Sequence, residues 1–247
     1  MNKELSMNKE LSIILPVRNE RESLEIMVRL LDSTLKFTFE ILIIFDDIED
    51  NSVPVANSLI KEFSNIKLIH NQKGSGVKNA IDAGVEMAKY KIILINAVDE
   101  IFPIISIEKM VDLILDQDFD LISGTRYSKG GLRLGGSLIG GILSKFANKL
   151  FKYITKIPIS DCTTGIKMMK KSVWQNTKFT SKPIGWVFAF ELSIKSWVAG
   201  YKISEFPLKS VDRLFGGSST FKPTPWIKEY FKCFVWGLKQ AKKLKYK

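Results

Sequence analysis

Residues 40–53 read E-I-L-I-I-F-D-D-I-E-D-N-S-V, and this stretch decides the fold class. The apolar run at residues 41–45 predicts a buried strand. Four carboxylates follow it within five positions: Asp46, Asp47, Glu49 and Asp50. In an open α/β sheet, ligands bind at the carboxyl ends of the strands. Carboxylates crowded at such an end are stabilised by a hydroxyl, an N–H group or a metal ion, although a solvated acidic turn gives the same pattern.

The same order of strand, loop and helix occurs upstream. Residues 11–20 read L-S-I-I-L-P-V-R-N-E, an apolar run that stops at Pro16 and is followed by Arg18, Asn19 and Glu20. Apolar residues then recur at helical spacing: Leu24, Met27, Val28, Leu30 and Leu31. Two such units predict parallel strands joined by helical crossovers, and therefore an α/β fold.

Further elements follow the same plan. A third strand is predicted at residues 66–70, followed by the loop N-Q-K-G-S-G and a helix over 77–90. A fourth strand over 91–95 ends in N-A-V-D-E. A helix over 106–115 and a strand over 120–123 precede G-T-R-Y at 124–127. The central sheet is therefore predicted to be mostly parallel.

Six glycines make residues 128–141 a predicted mobile loop, which passes into a helix over about 137–155. One stripe of that helix is apolar, with residues four apart: Leu138, Ile142, Phe146, Leu150 and Ile154. Such a stripe is typical of a helix packed on a core, but also of a helix that lies near a membrane surface. The sequence leaves both interpretations open.

Composition sets the outer limits. A chain of 247 residues with 45% hydrophobic and 26% charged residues predicts one globular domain with a substantial core. Two distant cysteines indicate a reducing, cytoplasmic compartment, and a single histidine argues against a zinc site or a Ser-His-Asp triad. Residues 1–6 and 7–12 both read M-N-K-E-L-S, so we expect a duplicated start, with Met7 as the true first residue and no signal peptide.

The net charge of +11 is concentrated at the end of the chain, where residues 222–247 hold eight lysines and one acid. Such a tail suits nucleic acid or an anionic membrane, and the absence of nucleic-acid-binding motifs favours the membrane. A helix is predicted over 225–243, with an apolar stripe at Ile227, Phe231, Phe234 and Leu238. It either lies at a membrane interface or packs on the domain. No apolar run reaches the roughly 18–20 residues of a membrane span, so we expect peripheral attachment without a transmembrane anchor of the chain's own.

The strand ends carry a resemblance to a known family. Pro16, Asn19 and Glu20 match a P-x-x-N-E pattern, and Asp46 and Asp47 match a D-D cluster. The chain resembles family-2 glycosyltransferases with the Rossmann-like GT-A fold, and among them dolichol- or polyprenyl-phosphate sugar transferases. The resemblance extends over about residues 12–221. It implies a catalytic domain at 7–221 and a basic amphipathic tail at 222–247.

Later segments extend the resemblance. K-G-S-G at 73–76 is similar to the loop behind the family's nucleotide site, and G-T-R-Y at 124–127 to its G-S-R-Y loop. S-x-x-x-N at 144–148, D-C-T-T-G-I-K at 161–167 and D-R-L-F-G-G-S-S at 212–219 are similar to its later signatures. Each segment alone is weak, but their shared order makes the match specific.

The resemblance implies roles for particular residues. The expected donor-binding residues are Pro16, Arg18, Glu20, Asp46, Asp47, Lys73 and Gly76. The expected acceptor-binding residues are Arg126, Lys129 and Ser218, and the expected catalytic residues are Asp99, Arg126, Asp161 and Arg213. Arg213 is expected to grip the donor diphosphate as the loop at about 211–221 becomes ordered.

The metal motif departs from the family pattern. The family usually carries D-x-D after its fourth strand, where this chain has N-A-V-D-E. Asn96 and Val98 would replace the two aspartates, and a valine cannot bind a cation. Asp99 is the best remaining ligand for Mg²⁺ or Mn²⁺, with Asn96 or Glu100 as a companion.

The sequence therefore predicts an inverting glycosyltransferase that moves a sugar from a nucleotide-sugar to a polyprenyl phosphate at the cytoplasmic membrane face. One alternative is a sugar-hydroxyl acceptor of a glycan or lipid, which needs a carboxylate base such as Asp161 or Glu191. Another is a non-enzymatic nucleotide-binding scaffold. Nucleic acid is not expected as a partner, and a separate membrane protein is an alternative means of attachment. The nucleotide and the sugar stay open.

Overall fold

The computed structural model describes residues 8–136, 138–211 and 223–244, except for the side chains of residues 139 and 223–225. The strands are β1 (Glu10–Pro16), β2 (Thr38–Phe45), β3 (Ile66–His70), β4 (Ile92–Ile95), β5 (Leu121–Thr125), β6 (Leu132–Leu134), β7 (Lys167–Lys170), β8 (Ile203–Pro207) and β9 (Lys209–Val211). The α-helices are α1 (Arg21–Thr34), α2 (Ser52–Glu62), α3 (Val77–Met87), α4 (Ile107–Asp116), α5 (Leu138–Thr155), α6 (Lys171–Asn176), α7 (Val187–Val198) and α8 (Pro223–Leu244). A 3-10 turn, Phe102–Ser106, precedes α4.

Seven strands form one sheet in the order β3-β2-β1-β4-β7-β5-β8. The chain moves outward from β1 to β3 and then returns to the other side of β1 as β4. β1 pairs in parallel with both β2 and β4, so the strand order reverses at the carboxyl ends of β1 and β4. Ligands of open α/β sheets bind at such a switch point. The predicted α/β fold with a mostly parallel sheet is confirmed.

The strands are continuous apolar runs because both faces of the sheet are covered. In β1, Ile13 and Leu15 pack into the core on one face, and Ile14 packs into the core on the other. The first core lies under α1, α2 and α4. The second lies under α3, α5, α6, α7 and α8. The molecule is therefore a three-layer α/β/α sandwich.

The structure differs from the predicted elements at several places, and helices α6 and α7 and strands β8 and β9 were not predicted. β2 begins at Thr38, three residues before the predicted strand. The segment predicted as a continuous loop contains β6, which pairs in parallel with β9, so this prediction is wrong at Leu132–Leu134. β7 was not predicted and runs antiparallel to both β4 and β5. It has only four residues with a lysine at each end, so no local pattern marks it.

Helix α8 packs on the domain along one face. Its Phe234 ring meets Phe151 of α5 edge to face at 5.3 Å, and its Tyr230 ring lies 6.2 Å from Phe190 of α7. Ile227 remains exposed, so α8 combines core packing with an apolar surface near its beginning. The division into residues 7–221 and 222–247 stays a prediction. Among the helices that the structure describes, none is both long and apolar enough to cross a membrane.

Candidate active site

The loops that follow β1 and β2 are tied together by Asp50. Its buried carboxylate accepts hydrogen bonds from the backbone N–H of Asn19, at 2.9 and 3.1 Å, and from that of Ser52, at 2.8 Å. The Ser52 hydroxyl accepts from the backbone N–H of Glu20 at 2.9 Å. Asn19 has a φ of 58°, a left-handed conformation that asparagine tolerates. Asp50 therefore fixes the loop that carries Pro16 and Glu20, and the sequence signal for this was the turn-forming D-N-S triplet.

Asp46 holds the loop that follows β3. Its two carboxylate oxygens accept hydrogen bonds from Asn71 Nδ2 at 2.7 Å and from the Gly76 N–H at 2.8 Å. Asn71 in turn donates to the carbonyl of Gly74 at 2.8 Å and accepts from the Lys73 N–H at 2.9 Å. The three strand ends are thus joined into one surface, and Asp46 is already engaged within it.

The other predicted donor residues have different surroundings. Asp47 is exposed, and its contact within this surface is the Glu49 N–H at 3.0 Å. Arg18 is also exposed, whereas Pro16 and Glu20 are half-buried. These groups share the carboxyl edge of the parallel strands. Lys73 instead forms a 2.6 Å ion pair with Glu86 of α3.

In the turn after β4, the side chain of Val98 is buried in the core and that of Asp99 is partly exposed to solvent. Val98 is 2% exposed and belongs to the core, whereas Asp99 is half-buried. Asn96 holds the turn through Nδ2, which donates to the carbonyls of Ala97 at 3.0 Å and Glu100 at 3.2 Å. Among the described residues, no group donates a hydrogen bond to the buried Asn96 Oδ1.

These residues fit a divalent cation only if the donor supplies further ligands. In the part of the chain that the structure covers, no cluster of three or more acidic, histidine or cysteine side chains could hold a metal by itself. Asp99 offers one carboxylate at the strand switch point, and the unpartnered Asn96 oxygen lies in the same turn. Mg²⁺ is often held by one or two carboxylates together with substrate phosphates. The donor set therefore fits a cation that arrives with a diphosphate.

A second polar cluster lies across the switch point and centres on Arg126 and Asp161. Arg126 Nε donates to Asp161 Oδ2 at 2.7 Å, and Nη2 donates to Oδ1 at 3.1 Å. Burial alone would raise the pKa of Asp161, but the charge of Arg126 and hydrogen bonds from Arg126 and Thr163 lower it. Burial alone would lower the pKa of Arg126, but Asp161 raises it. Both groups are therefore charged near neutral pH.

Helix α5 supplies the rest of this cluster. Ser144 accepts a hydrogen bond from the Tyr127 hydroxyl at 3.0 Å and lies 3.1 Å from Thr163 Oγ1. Asn148 donates to Thr163 Oγ1 at 3.0 Å and accepts from the Cys162 N–H at 2.8 Å. Three motifs that are separate in the sequence thus form one hydrogen-bonded unit, which we call the Arg126 cluster (residues 126, 127, 144, 148, 161 and 163).

Glu100 joins the turn after β4 to β9. The Ser210 hydroxyl on β9 donates to Glu100 Oε1 at 2.7 Å. The negative charge of Glu100 also raises the pKa of Arg126, by less than that of Asp161. Strands β4 and β5 both pair antiparallel with β7, so the Asp99 turn and Arg126, which follow their carboxyl ends, lie at the same edge of the sheet.

Two predicted acid–base residues are enclosed by hydrogen bonds. Asp161 is 0% exposed and bound to Arg126. Glu191 is 2% exposed and accepts from Thr180, from the Ser181 N–H and from Lys195. Burial alone would raise the pKa of Glu191, but the hydrogen bonds from Lys195, Ser181 and Thr180 lower it. Neither carboxylate faces an open site where it could take a proton from an acceptor.

A buried lysine beside this cluster escaped sequence reasoning. Lys167 is 0% exposed and donates to the Ser123 hydroxyl at 2.8 Å. Burial lowers its pKa to about 8. A lysine in a four-residue strand gives no sequence signal for burial. Of the remaining predicted site residues, Lys129 is exposed, and Arg213 and Ser218 lie outside the described residues.

The pattern of the family described as "Glycosyl transferase family 2" matches residues 12–177. The chain belongs to glycosyl transferase family 2. The match covers about two thirds of the chain. It includes Asp46 at the end of β2, the Asp99 turn after β4 and the Arg126 cluster, so this glycosyltransferase domain carries all three.

Curated relatives agree with this assignment. The glycosyltransferase domain is 28% identical over 201 residues to a dolichol-phosphate mannosyltransferase from Pyrococcus furiosus, with 80% of this chain and 55% of the relative covered. It is 22% identical over 204 residues to the glycosyltransferase AglD from Haloferax volcanii, with 81% of this chain and 32% of the relative covered. The chain thus spans about half or less of the length of these two relatives.

Solved structures share the GT-A fold. Glucosyl-3-phosphoglycerate synthase from Mycobacterium tuberculosis, in complex with Mn²⁺, UDP and glucosyl-3-phosphoglycerate, superimposes with a TM-score of 0.68 at 13% identity. That alignment covers 94% of this chain and 80% of the other. The UDP complex of the same enzyme gives a TM-score of 0.69 at 12% identity, over 93% and 80%. At these identities the likeness establishes the fold of the glycosyltransferase domain.

Proposed function

We propose that this family-2 glycosyltransferase transfers a sugar from a nucleotide-sugar to a polyprenyl phosphate at the cytoplasmic face of a membrane. The observation that carries the proposal is the Arg126 cluster. A guanidinium is held by a fully buried carboxylate at the edge of the sheet that also carries the Asp99 turn. A fixed guanidinium suits recognition of a phosphate. The dolichol-phosphate name of the Pyrococcus relative supports the same acceptor class.

The donor would lie along the carboxyl edge of β1, β2 and β4. Asp47 is exposed there and would accept hydrogen bonds from the nucleoside, beside the loop that holds Pro16 and Glu20. Asp46 would act indirectly, because it fixes the Gly76 loop behind the donor. Asp99 would hold the divalent cation together with the diphosphate. When bound, Mg²⁺ or Mn²⁺ would stabilise the negative charge that the leaving diphosphate gains.

The acceptor chemistry follows from the ionisation of a phosphate monoester. Its second pKa is about 6, so near pH 7 it is already a nucleophilic anion and needs no strong base. The burial of Asp161 and Glu191 is consistent with this, because neither faces an acceptor. Arg126 would orient the phosphate, with Asp161 as a positioning residue that holds the guanidinium. Direct attack on the anomeric carbon would invert its configuration.

A paired-acceptor assay tests this proposal. Purified protein receives labelled nucleotide-sugars with either a polyprenyl phosphate or the matching polyprenol, which lacks only the phosphate. We expect labelled lipid from the phosphate alone, with the anomeric configuration inverted by NMR. Arg126→Lys keeps the charge but loses the planar fork, so turnover should fall by about tenfold or more.

The outcomes separate the competing functions. Transfer to the polyprenol or to a glycan hydroxyl, with none to the phosphate, would establish a hydroxyl acceptor instead. Donor binding without transfer to any acceptor would indicate a nucleotide-binding scaffold. The conservative exchange Lys36→Arg at an exposed position serves as the matched control and should leave turnover unchanged.

A further inference from the structure

One face of α5 is a continuous apolar surface that nothing in the described structure covers. We call it the α5 outer face; it consists of Leu138, Ile142, Leu143, Phe146, Leu150, Tyr153 and Ile154. Leu138 is 78% exposed, Phe146 is 66% exposed and Tyr153 is 73% exposed. Single exposed apolar residues are ordinary, but a row along five turns of helix is typical of an interaction surface.

The opposite face of α5 packs on the molecule. Phe151 is 0% exposed and meets both Phe190 and Phe234 edge to face. Asn148 and Thr155 are buried on the same side. The apolar stripe noted in the sequence therefore points away from the core. The interpretation of that stripe as an ordinary core-packing face is wrong, because Phe151 and Asn148 occupy the inner side.

Strand β6 carries two further exposed apolar residues. Leu132 and Leu134, two residues apart on this strand, are both exposed. The guanidinium of Arg133 lies beside Gly141, at 3.0 Å from where a Cβ would stand, so β6 runs next to the first turn of α5. A strand with two exposed leucines therefore adjoins the beginning of α5.

Positive charge predominates around this surface, where Arg126 is paired with Asp161 and Lys152 with Glu205. Residues 121–160 contain no aspartate or glutamate and seven basic residues: Arg126, Lys129, Arg133, Lys145, Lys149, Lys152 and Lys156. Lys145 and Lys149 are exposed on α5, and Lys156 is exposed directly after it. An identical copy of the chain would bring the same positive charges against them, which is unfavourable. An anionic lipid surface offers both apolar volume and negative charge, and lysines near such a leaflet are attracted to it.

We propose that the α5 outer face inserts into the interfacial region of an anionic bilayer, with α5 lying in the membrane plane. The inner side of the same helix carries Ser144 and Asn148, which belong to the Arg126 cluster. Insertion would therefore bring the cluster close to the lipid phosphates, because Ser144 and Asn148 belong to both α5 and the cluster. This docking deepens the proposed function by naming the residues that contact the membrane, but it rests on α5 alone and is measured without sugar transfer.

Vesicle flotation of the full chain tests the docking. The probes are vesicles of phosphatidylcholine alone and of phosphatidylcholine mixed with phosphatidylglycerol. We expect the wild type to float with the mixed vesicles and much less with the neutral ones. The double substitution Ile142→Ser with Phe146→Ser removes two exposed apolar groups and should weaken partition by about tenfold or more.

A matched control shows whether the location of the lost apolar groups matters, or only their loss. Ile105→Ser with Met87→Ser removes two apolar groups of similar exposure, 64% and 54%, outside the α5 outer face. This control should float like the wild type. All of these positions are exposed, so thermal unfolding of both double variants should match the wild type, and a loss of flotation then reports the surface and not the fold.

A second pair of double variants tests the contribution of the lysine charges to membrane binding. Lys145→Gln with Lys149→Gln should weaken flotation on the mixed vesicles, whereas Lys36→Gln with Lys61→Gln, both exposed elsewhere, should not. Added salt should reduce the difference between the two pairs.

Three results would overturn the proposal: no flotation of the wild type, unchanged flotation of the α5 double variant, or a dimer in sedimentation that the α5 double variant disperses. The last result would assign the face to a second copy of the chain. Nucleoside diphosphate binding to the α5 variants, measured by calorimetry, should stay at the wild-type value. Failure of membrane docking is thereby distinguished from failure of the glycosyltransferase proposal.

Discussion

Adjacent aspartates after β2 have different surroundings, so their substitution should have different effects. Asp47 is exposed, and its Ala variant should lose donor binding in calorimetry with little change in the free energy of unfolding. Asp46 accepts hydrogen bonds from Asn71 and Gly76, so Asp46→Ala should lower that free energy by about 1–3 kcal/mol. Unchanged donor affinity in Asp47→Ala would remove the donor assignment. Equal stability losses in the two variants would contradict the distinction between them.

The buried Lys167 should make stability depend on pH. Its pKa falls from an ordinary 10.5 to about 8 because of burial, so between these values the unfolded chain binds the extra proton. The free energy of unfolding should therefore rise with pH in that window, by up to about 3 kcal/mol from this group. Lys167→Met removes the group, and the stability of the variant relative to the wild type should be greatest below pH 8 and decline towards pH 10.5. Denaturant titrations at several pH values measure this, and parallel profiles would show that Lys167 keeps its ordinary pKa.

At the residue scale, the sequence identified which side chains could act at the site but not which residues they would pair with. It grouped Asp50 with the other carboxylates after β2, whereas the structure uses Asp50 to tie two loops together. It named Arg126 and Asp161 separately, and the structure joins them in one ion pair. Residue type shows what a side chain can do. Its partner depends on segments that are distant in the chain, here 31 residues and 35 residues away.

At the scale of the elements, the packing of helix α3 on the sheet requires a glycine at position 84. A Cβ at Gly84 would stand 2.8 Å from Ile14 Cγ2 and 2.9 Å from Ile44 Cδ1, so the helix lies closer to β1 and β2 than a larger residue allows. Gly84→Val should lower the free energy of unfolding by about 1–3 kcal/mol through overpacking. Met87→Val, at an exposed site of the same helix, controls for helix propensity and should be nearly neutral. Similar midpoints for both variants in urea would show that α3 can move away from the sheet.

Helices α5 and α8 show where periodicity stops being informative. Both have an apolar stripe, and in both the sequence left core packing and a membrane surface as alternatives. The structure resolves them differently. The α8 stripe is divided, with Phe234 packed against the core and Ile227 and Phe231 exposed, whereas α5 turns its whole stripe outward. The hydrophobic period identifies which residues share a face, but not whether another element covers that face.

At the scale of the whole molecule, donor and cation should stabilise the fold together. Nucleoside diphosphates with Mg²⁺ or Mn²⁺ should raise the melting temperature by several degrees, because a ligand at 100 times its Kd contributes about 2.7 kcal/mol. A chelator should remove the part that depends on the cation. Asp99→Ala should lose the same part while keeping the response to the nucleoside. A shift that is insensitive to chelator and unchanged in Asp99→Ala would exclude Asp99 as the cation ligand.

The sequence by itself determined the alternation of strands and helices, the α/β class and the acidic edge after β2. These features are local, because apolar runs, turn residues and carboxylates act on neighbours a few residues away. Only the tertiary structure decided the antiparallel insertion of β7, the burial of Lys167, the pairing of Arg126 with Asp161 and the outward face of α5. Each of these depends on which distant segment lies alongside, and that is set when two layers of helices close over the sheet.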